Sequence, residues 1–283
     1  MTTHLTSLPA RAVLEVRGPD ATGFLQGLVT NDVTRVAPGA PVWAGLLSPQ
    51  GKYLFDFLIF AHPEGDGFLL DTEADRLEPL AKRLSLYRLR ARVEITPRPD
   101  LAVHAAWGDG PAPAGAAADP RLAALGWRWI AAPGLAATAT PEDYDRHRLE
   151  HGIPDGSRDI AVDRMLWLET NAAELNGVDF RKGCYVGQEN TARMYHRAKV
   201  RKRLLPVRLA APATGADTSL LTADGKEAGE LRSHHGTLGL AFLRLEHVEA
   251  GAPLTLGGAA VEVTWPDWLP APQPATASDP AET

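Results

Sequence analysis

Apolar and polar positions divide the chain into stretches of two periods. "AVLEVRG", residues 12–18, alternates and predicts a strand. "PDATGFLQGLVTND" follows and predicts a short helix capped by Asp20, with Phe24, Leu25 and Leu28 on one face. "VWAGLLS" and "YLFDFLIFAH" predict two strands joined as a hairpin through "PQGK" around Gly51, and "GFLLDT" adds a third. Leu77, Leu80, Leu84 and Tyr87 recur at helical spacing, with Pro79 in the first turn. "RARVEI", "LAVHAAW" and "RWIAA" return to strand patterns. Residues 108–120 between them are rich in Pro, Ala and Gly and predict a surface loop. "TPEDYDRHRLEHG" predicts a helix with Thr140 as cap, Pro141 at its first position, acids in its first turn and Gly152 at its end.

After a further helix in "GQENTARMYHR", residues 187–197, the pattern changes. "RKRLLPVRLA", "SLLTADGKEAGELRS", "TLGLAFLRL" and "LTLGGAAVEVTW" are short strands separated by turn signals, the pattern of a small antiparallel barrel or sandwich. The expected organisation is α+β: an α+β body over residues 1–198, a C-terminal β-domain over 199–268 with its boundary near Lys199, and a disordered Pro/Ala/acid-rich tail over 269–283.

Composition changes this picture little. The 283 residues are 45% hydrophobic and 23% charged, ordinary for a globular protein. A net charge of −6 argues against a general nucleic-acid coat. One cysteine cannot form an intramolecular disulfide. With no signal-peptide pattern and no long apolar run, the chain is expected to be a cytoplasmic monomer without a membrane partner.

That cysteine, Cys184, lies in "RKGCYVGQE", residues 181–189. Free cysteines are commonly small buried hydrophobes. Here Arg181 and Lys182 precede it, a helix N-terminus follows it, and Gly183 and Gly187 allow unusual backbone on either side, which is the surrounding of a reactive or ligand-binding thiol. A metal site made by this chain alone is not expected, because zinc and iron–sulfur sites need several such ligands. Eight Lys/Arg and one acid between positions 181 and 203 form either a solvated face or a basic rim for an anion. Glu150 closes the Thr140 helix, where a carboxylate opposes the dipole and calls for a partner: a ligand, or a surface pair with Arg148 or His151. Asp56 interrupts an apolar run and, by alternation, shares a face with Leu54 and Leu58, so it points outward or into a pocket.

"KGCYVGQE", together with "FLQGLVTNDV", "SPQGKYLFDFLIF", "RLEHGIP" and "LETNAAELNGVDFRKGCYVGQE", resembles the YgfZ family. These are folate-binding proteins implicated in iron–sulfur cluster assembly and repair, related to the aminomethyltransferase T protein of glycine cleavage. The resemblance covers most of the chain. It implies α+β subdomains around a central folate channel plus a C-terminal β-barrel. It implies tetrahydrofolate or a derivative as cofactor, with Glu150 orienting the pterin, Tyr144, Gln26 and Asn31 lining the site, and Arg193 and Arg197 meeting the glutamate tail. Lys182, Gly183, Cys184, Tyr185, Gly187, Gln188 and Glu189 form the signature loop, with Cys184 as cluster ligand, sulfur relay or redox group, sharing a transient iron–sulfur cluster with assembly machinery or a client protein. Asp56 falls where the T protein has an Asp-Asp pair, which Phe55 breaks here. That departure favours an assembly factor over the first alternative, a folate-dependent one-carbon transferase. A second alternative, a factor affecting tRNA modification, is expected to act indirectly and without direct RNA contact.

Overall fold

A hairpin with a bulge forms one edge of the larger sheet in the first half of the protein. The computed structural model describes residues 2–197, 200–213 and 218–271. In chain order come β1 (Thr3–Ser7), β2 (Arg11–Arg17), α1 (Ala21–Gln26), and the hairpin of β3 (Val42–Leu47) and β4 (Tyr53–Ala61). Gly51 takes a positive φ in that turn, as its sequence context requires. Then follow β5 (Gly67–Glu73), α2 (Leu77–Arg88), β6 (Glu94–Pro97), β7 (Ala102–Gly108), the two-residue β8 (Ala117–Ala118) and β9 (Trp127–Ala131). They form two antiparallel sheets, one ordered β3-β4-β5-β2-β6 and one ordered β1-β7-β9-β8. α1 and α2 bury Leu25, Leu80 and Leu84 against Leu14, Phe57 and Leu70 on one face of the larger sheet.

Three local expectations change. β1 was not foreseen, because "THLTS" has too few apolar positions to alternate visibly; its ladder with β7 makes it a strand. The Pro/Ala/Gly segment is not all surface loop, since β8 pairs with β9 and Ala117 and Asp119 are buried. Asp20 occupies the cap position of α1 but makes no capping bond; its carboxylate accepts from Arg92 instead.

The capped helix α3 (Pro141–Glu150) forms as expected, with Thr140 and Asp143 in a reciprocal capping box. A short α4 (Gly156–Asp159) follows, and α5 (Gln188–Arg197) closes this half. The remaining strands, β10 (Lys202–Leu209), β11 (Ser219–Thr222), β12 (Glu227–His235), β13 (Leu238–Arg244), β14 (Leu254–Leu256) and β15 (Ala259–Val263), close into a barrel ordered β10-β13-β12-β11-β14-β15, with a short α6 (Leu245–Glu249) after β13. Closure removes the exposed strand edges that an open sheet of this size would present. The barrel shares a core with the body: Leu204 and Leu240 pack with Trp43, Tyr53 and Trp167. Lys199 and residues 272–283 of the expected tail lie outside the described residues.

Candidate functional site

Cys184 is exposed, so the buried-hydrophobe reading fails. Its loop, residues 182–187, has no regular secondary structure, yet it is anchored at several points. Lys182 turns inward, and its Nζ donates to the carbonyl oxygens of Gln26 (2.9 Å), Val29 (2.6 Å) and Asn31 (2.8 Å). Burial pulls this ammonium down to about 8, against the pull of Asp32 and Asp179. The three carbonyls use its full donor capacity. The Val186 amide donates to the Gly27 carbonyl. Gly187 has φ +84°, and a Cβ there would collide with the Ser48 carbonyl oxygen and come within 2.9 Å of the Leu47 Cβ. Gln188 takes the Tyr185 amide at 3.2 Å. The Phe180 ring stacks on Tyr195 of α5 at 3.7 Å between centroids, while Glu189 is exposed on the first turn of that helix. The exposed thiol therefore sits on a loop tied to the segment after α1 and to the β3–β4 turn.

Two parts of the sequence reading of this loop need correction. Lys182 is not free to serve the thiol, because the carbonyls occupy it; Arg181 is 89% exposed and its nearest carboxylate is Asp179. Gly183 needs neither positive φ nor close approach, since a Cβ on it meets nothing within 4 Å.

The residues assigned to a folate pocket do not converge. The Gln26 side chain bonds Asp32 and the Val33 amide. Asn31 is buried and donates to the carbonyls of Trp43 and Asn176. Both lock the turn after α1. Arg193 is exposed and bonds Asn190 on its own helix; the Arg197 side chain lies outside the described residues. Tyr144 is buried, its hydroxyl accepting from Arg128 at 2.8 Å, and it lines a cavity of 340 Å³ with Leu8, Arg11, Arg148, Asp155 and Arg158. Glu150 does not share that cavity. Six helical residues separate it from Tyr144, which puts the two about 120° apart around α3. Glu150 is half-exposed beside a shallow hollow with His4, Trp107 and His147; its ion-pair partner is Arg146 at 3.9 Å rather than Arg148, and its charge also acts on His151.

Asp56 is buried, and both its oxygens are taken: Trp43 Nε1 donates to one at 2.9 Å and Tyr53 Oη to the other at 2.8 Å. Burial raises its pKa, and Arg11 opposes that rise. It does not face solvent. A bulge opposite Leu46 and Leu47 takes Leu54 off the face of Asp56 and Leu58, into the cluster of Phe55 and Phe57.

A charged network was missed entirely. Asp71 on β5 accepts from Arg11 on β2 (2.6 Å) and pairs with Arg128 on β9 (3.1 Å), joining the two sheets. Asp119 pairs with Arg121 at 2.8 Å; burial would raise this carboxyl, but the two arginines beside it hold it lower. Arg148 Nη1 meets Asp159 at 2.6 Å and its Nη2 reaches Ser233 of the barrel at 3.0 Å. Asp71 in "GFLLDT" and Arg128 in "RWIAA" interrupt apolar runs as Asp56 does, and the same signal would have marked them.

Comparison with known proteins fits this architecture. Residues 201–271 match the family model "CAF17, C-terminal beta-barrel domain". The solved glycine cleavage system aminomethyltransferase T from Bartonella henselae superposes with a TM-score of 0.74, covering 94% of this chain and 86% of that one at 14% identity, a likeness of fold alone. The iron–sulfur cluster assembly factor IBA57 of Homo sapiens is 37% identical over 93% of this chain and 84% of its own length. The mouse protein is 36% identical over the same shares, and the homologue of Mycosarcoma maydis 34% identical over 89% and 76%. All three relatives are mitochondrial, which corrects the cytoplasmic expectation. The T-protein-like body, the closed barrel and this full-length similarity lead to one family: the chain belongs to the iron–sulfur cluster assembly factors of the IBA57 family.

Proposed function

We propose that this protein assists iron–sulfur cluster assembly by presenting Cys184 as one thiolate ligand to a cluster shared with a partner. The observation that carries the reading is an exposed thiol on a loop held at Lys182, Val186 and Gly187. Thiolate-ligated clusters commonly take four cysteines, and this chain has one. The remaining ligands then come from the assembly machinery or client, and the cluster is cargo rather than a resident group. A fixed loop lowers the entropic cost of placing that thiolate against a partner's ligands. The test is mixing the protein with a reduced cluster donor and following visible absorption, with Cys184→Ala as comparison. Transfer to a client that proceeds equally well with the alanine variant removes the ligand role.

Tetrahydrofolate binding is a second reading, favoured by the 340 Å³ cavity that Tyr144 lines with Leu8; Arg11, Arg148 and Arg158 in its wall are already paired with Asp71, Asp159 and Asp145. Titration with tetrahydrofolate checks it; no saturable binding at millimolar ligand eliminates it. The aminomethyltransferase alternative needs a carboxylate that substrate can reach at Asp56, and this one is buried and bonded to Trp43 and Tyr53.

A further inference from the structure

The end of α2 carries a surface that cluster assembly leaves unused. Residues 82–92, "KRLSLYRLRAR", hold five cations and no acid in a chain of net charge −6. Arg83 is taken up by Tyr87 and Arg92 by Asp20. Lys82, Arg88 and Arg90 are exposed, with no side-chain hydrogen bond or ion pair among the described residues. Two leucines stand among them, Leu86 at 65% exposure and Leu89 at 89%. Leu89 ends the helix at φ 42° and ψ −105°, a backbone state that favours glycine. Leucine there gives up both burial and relaxed backbone, so folding alone supplies no reason for it. A shallow hollow beside it is lined by Arg88, Arg90, Arg92, Asp66 and Glu94, of which Asp66 is paired with Arg17.

We propose that this corner docks on an anionic lipid surface. Leu86 and Leu89 enter the boundary between headgroups and acyl chains, and Lys82, Arg88 and Arg90 meet the lipid phosphates. Interfacial binding combines apolar insertion with electrostatic attraction to anionic lipid, and both components are present within the last two turns of α2 and its exit. RNA fits less well, because single strands are held by stacking platforms and the exposed apolar groups here are aliphatic. Among the described residues no helix is long and apolar enough to cross a membrane, and a surface contact requires none.

The test is co-sedimentation of the full chain with vesicles of phosphatidylcholine alone or mixed with phosphatidylglycerol. Binding is expected on the mixed vesicles only and weakens with salt. Arg88→Ser and Arg90→Ser each lower partitioning about fivefold. Leu89→Gly also weakens binding while keeping or raising the melting temperature, since it relieves the positive φ. Circular dichroism of each variant separates lost binding from lost folding. Equal partitioning on both vesicle types overturns the proposal, as does undiminished binding by folded Leu89→Gly. Binding to single-stranded RNA or to an acidic peptide, with none to the mixed vesicles, overturns it too.

Discussion

Lys182 Nζ stands 2.6 Å from the carbonyl oxygen of Val29, and the same ammonium reaches the carbonyls of Gln26 and Asn31. One side chain of the cysteine loop thus closes the turn that follows α1. Lys182→Met keeps the aliphatic stem and removes the donors. It is expected to cost about 1–3 kcal/mol in denaturant unfolding and to speed amide exchange across residues 183–187. Unchanged stability and exchange would return Lys182 to its expected role beside the thiol.

The two glycines flanking Cys184 make a matched pair. Gly187→Ala forces a side chain into positive φ and into the Ser48 carbonyl, so a loss of about 1–3 kcal/mol is expected, with cluster transfer impaired. Gly183→Ala enters open space at ordinary φ, and its effect stays within about 0.5 kcal/mol. Thermal melts of the two variants decide it; equal losses would mean that the loop is not seated on the β3–β4 turn.

Asp56 is expected to act on stability rather than chemistry. Asp56→Ala strands the Trp43 indole N–H in the core and leaves the Tyr53 hydroxyl only Glu73 at 3.4 Å, at a cost of about 1–3 kcal/mol for the unpartnered indole. Urea denaturation reads this loss. A normally stable alanine variant lacking activity would point instead to a reacting carboxylate.

His147 stacks on Trp107 and bonds the Ala124 carbonyl. Burial, helped by neighbouring His151, pulls its pKa from 6.5 to about 4. Between those values the unfolded chain binds a proton that the folded chain refuses. The stability contribution is therefore full above pH 6.5 and lost as pH falls through about 4. Partial exposure limits it to about 1 kcal/mol. His147→Gln is expected to flatten the stability profile over that window, as followed by melts at stepped pH. The same slope in the variant would assign it to other groups.

Period was enough to place most elements, because one-sided burial writes itself into local spacing. The α3 cap, the Gly51 turn and the barrel hairpins were all legible in this way. β1 was not, since a strand held by its ladder with β7 needs little local signal. Cys184 stood out by rarity, and its flanking chemistry was read as helping the thiol. Side-chain direction could not be read from spacing, so Lys182 was given to the thiol and Gln26 to a folate site, when both serve backbone groups. Glu150 and Tyr144 were joined by family pattern, though their spacing around α3 sets them on different hollows. The pairing of Asp71 with Arg11 and Arg128 spans three strands distant in sequence, and only the folded sheets bring them together.

The most direct measurement is visible absorption of the protein mixed anaerobically with a reduced cluster donor, repeated with Cys184→Ala and followed through size-exclusion chromatography. The account predicts that sulfur-to-iron charge-transfer absorption elutes with a complex of the unaltered chain and its partner, and is lost from that complex in the alanine variant. An alanine variant that carries the same absorption in the same complex would contradict the claim that Cys184 is a cluster ligand.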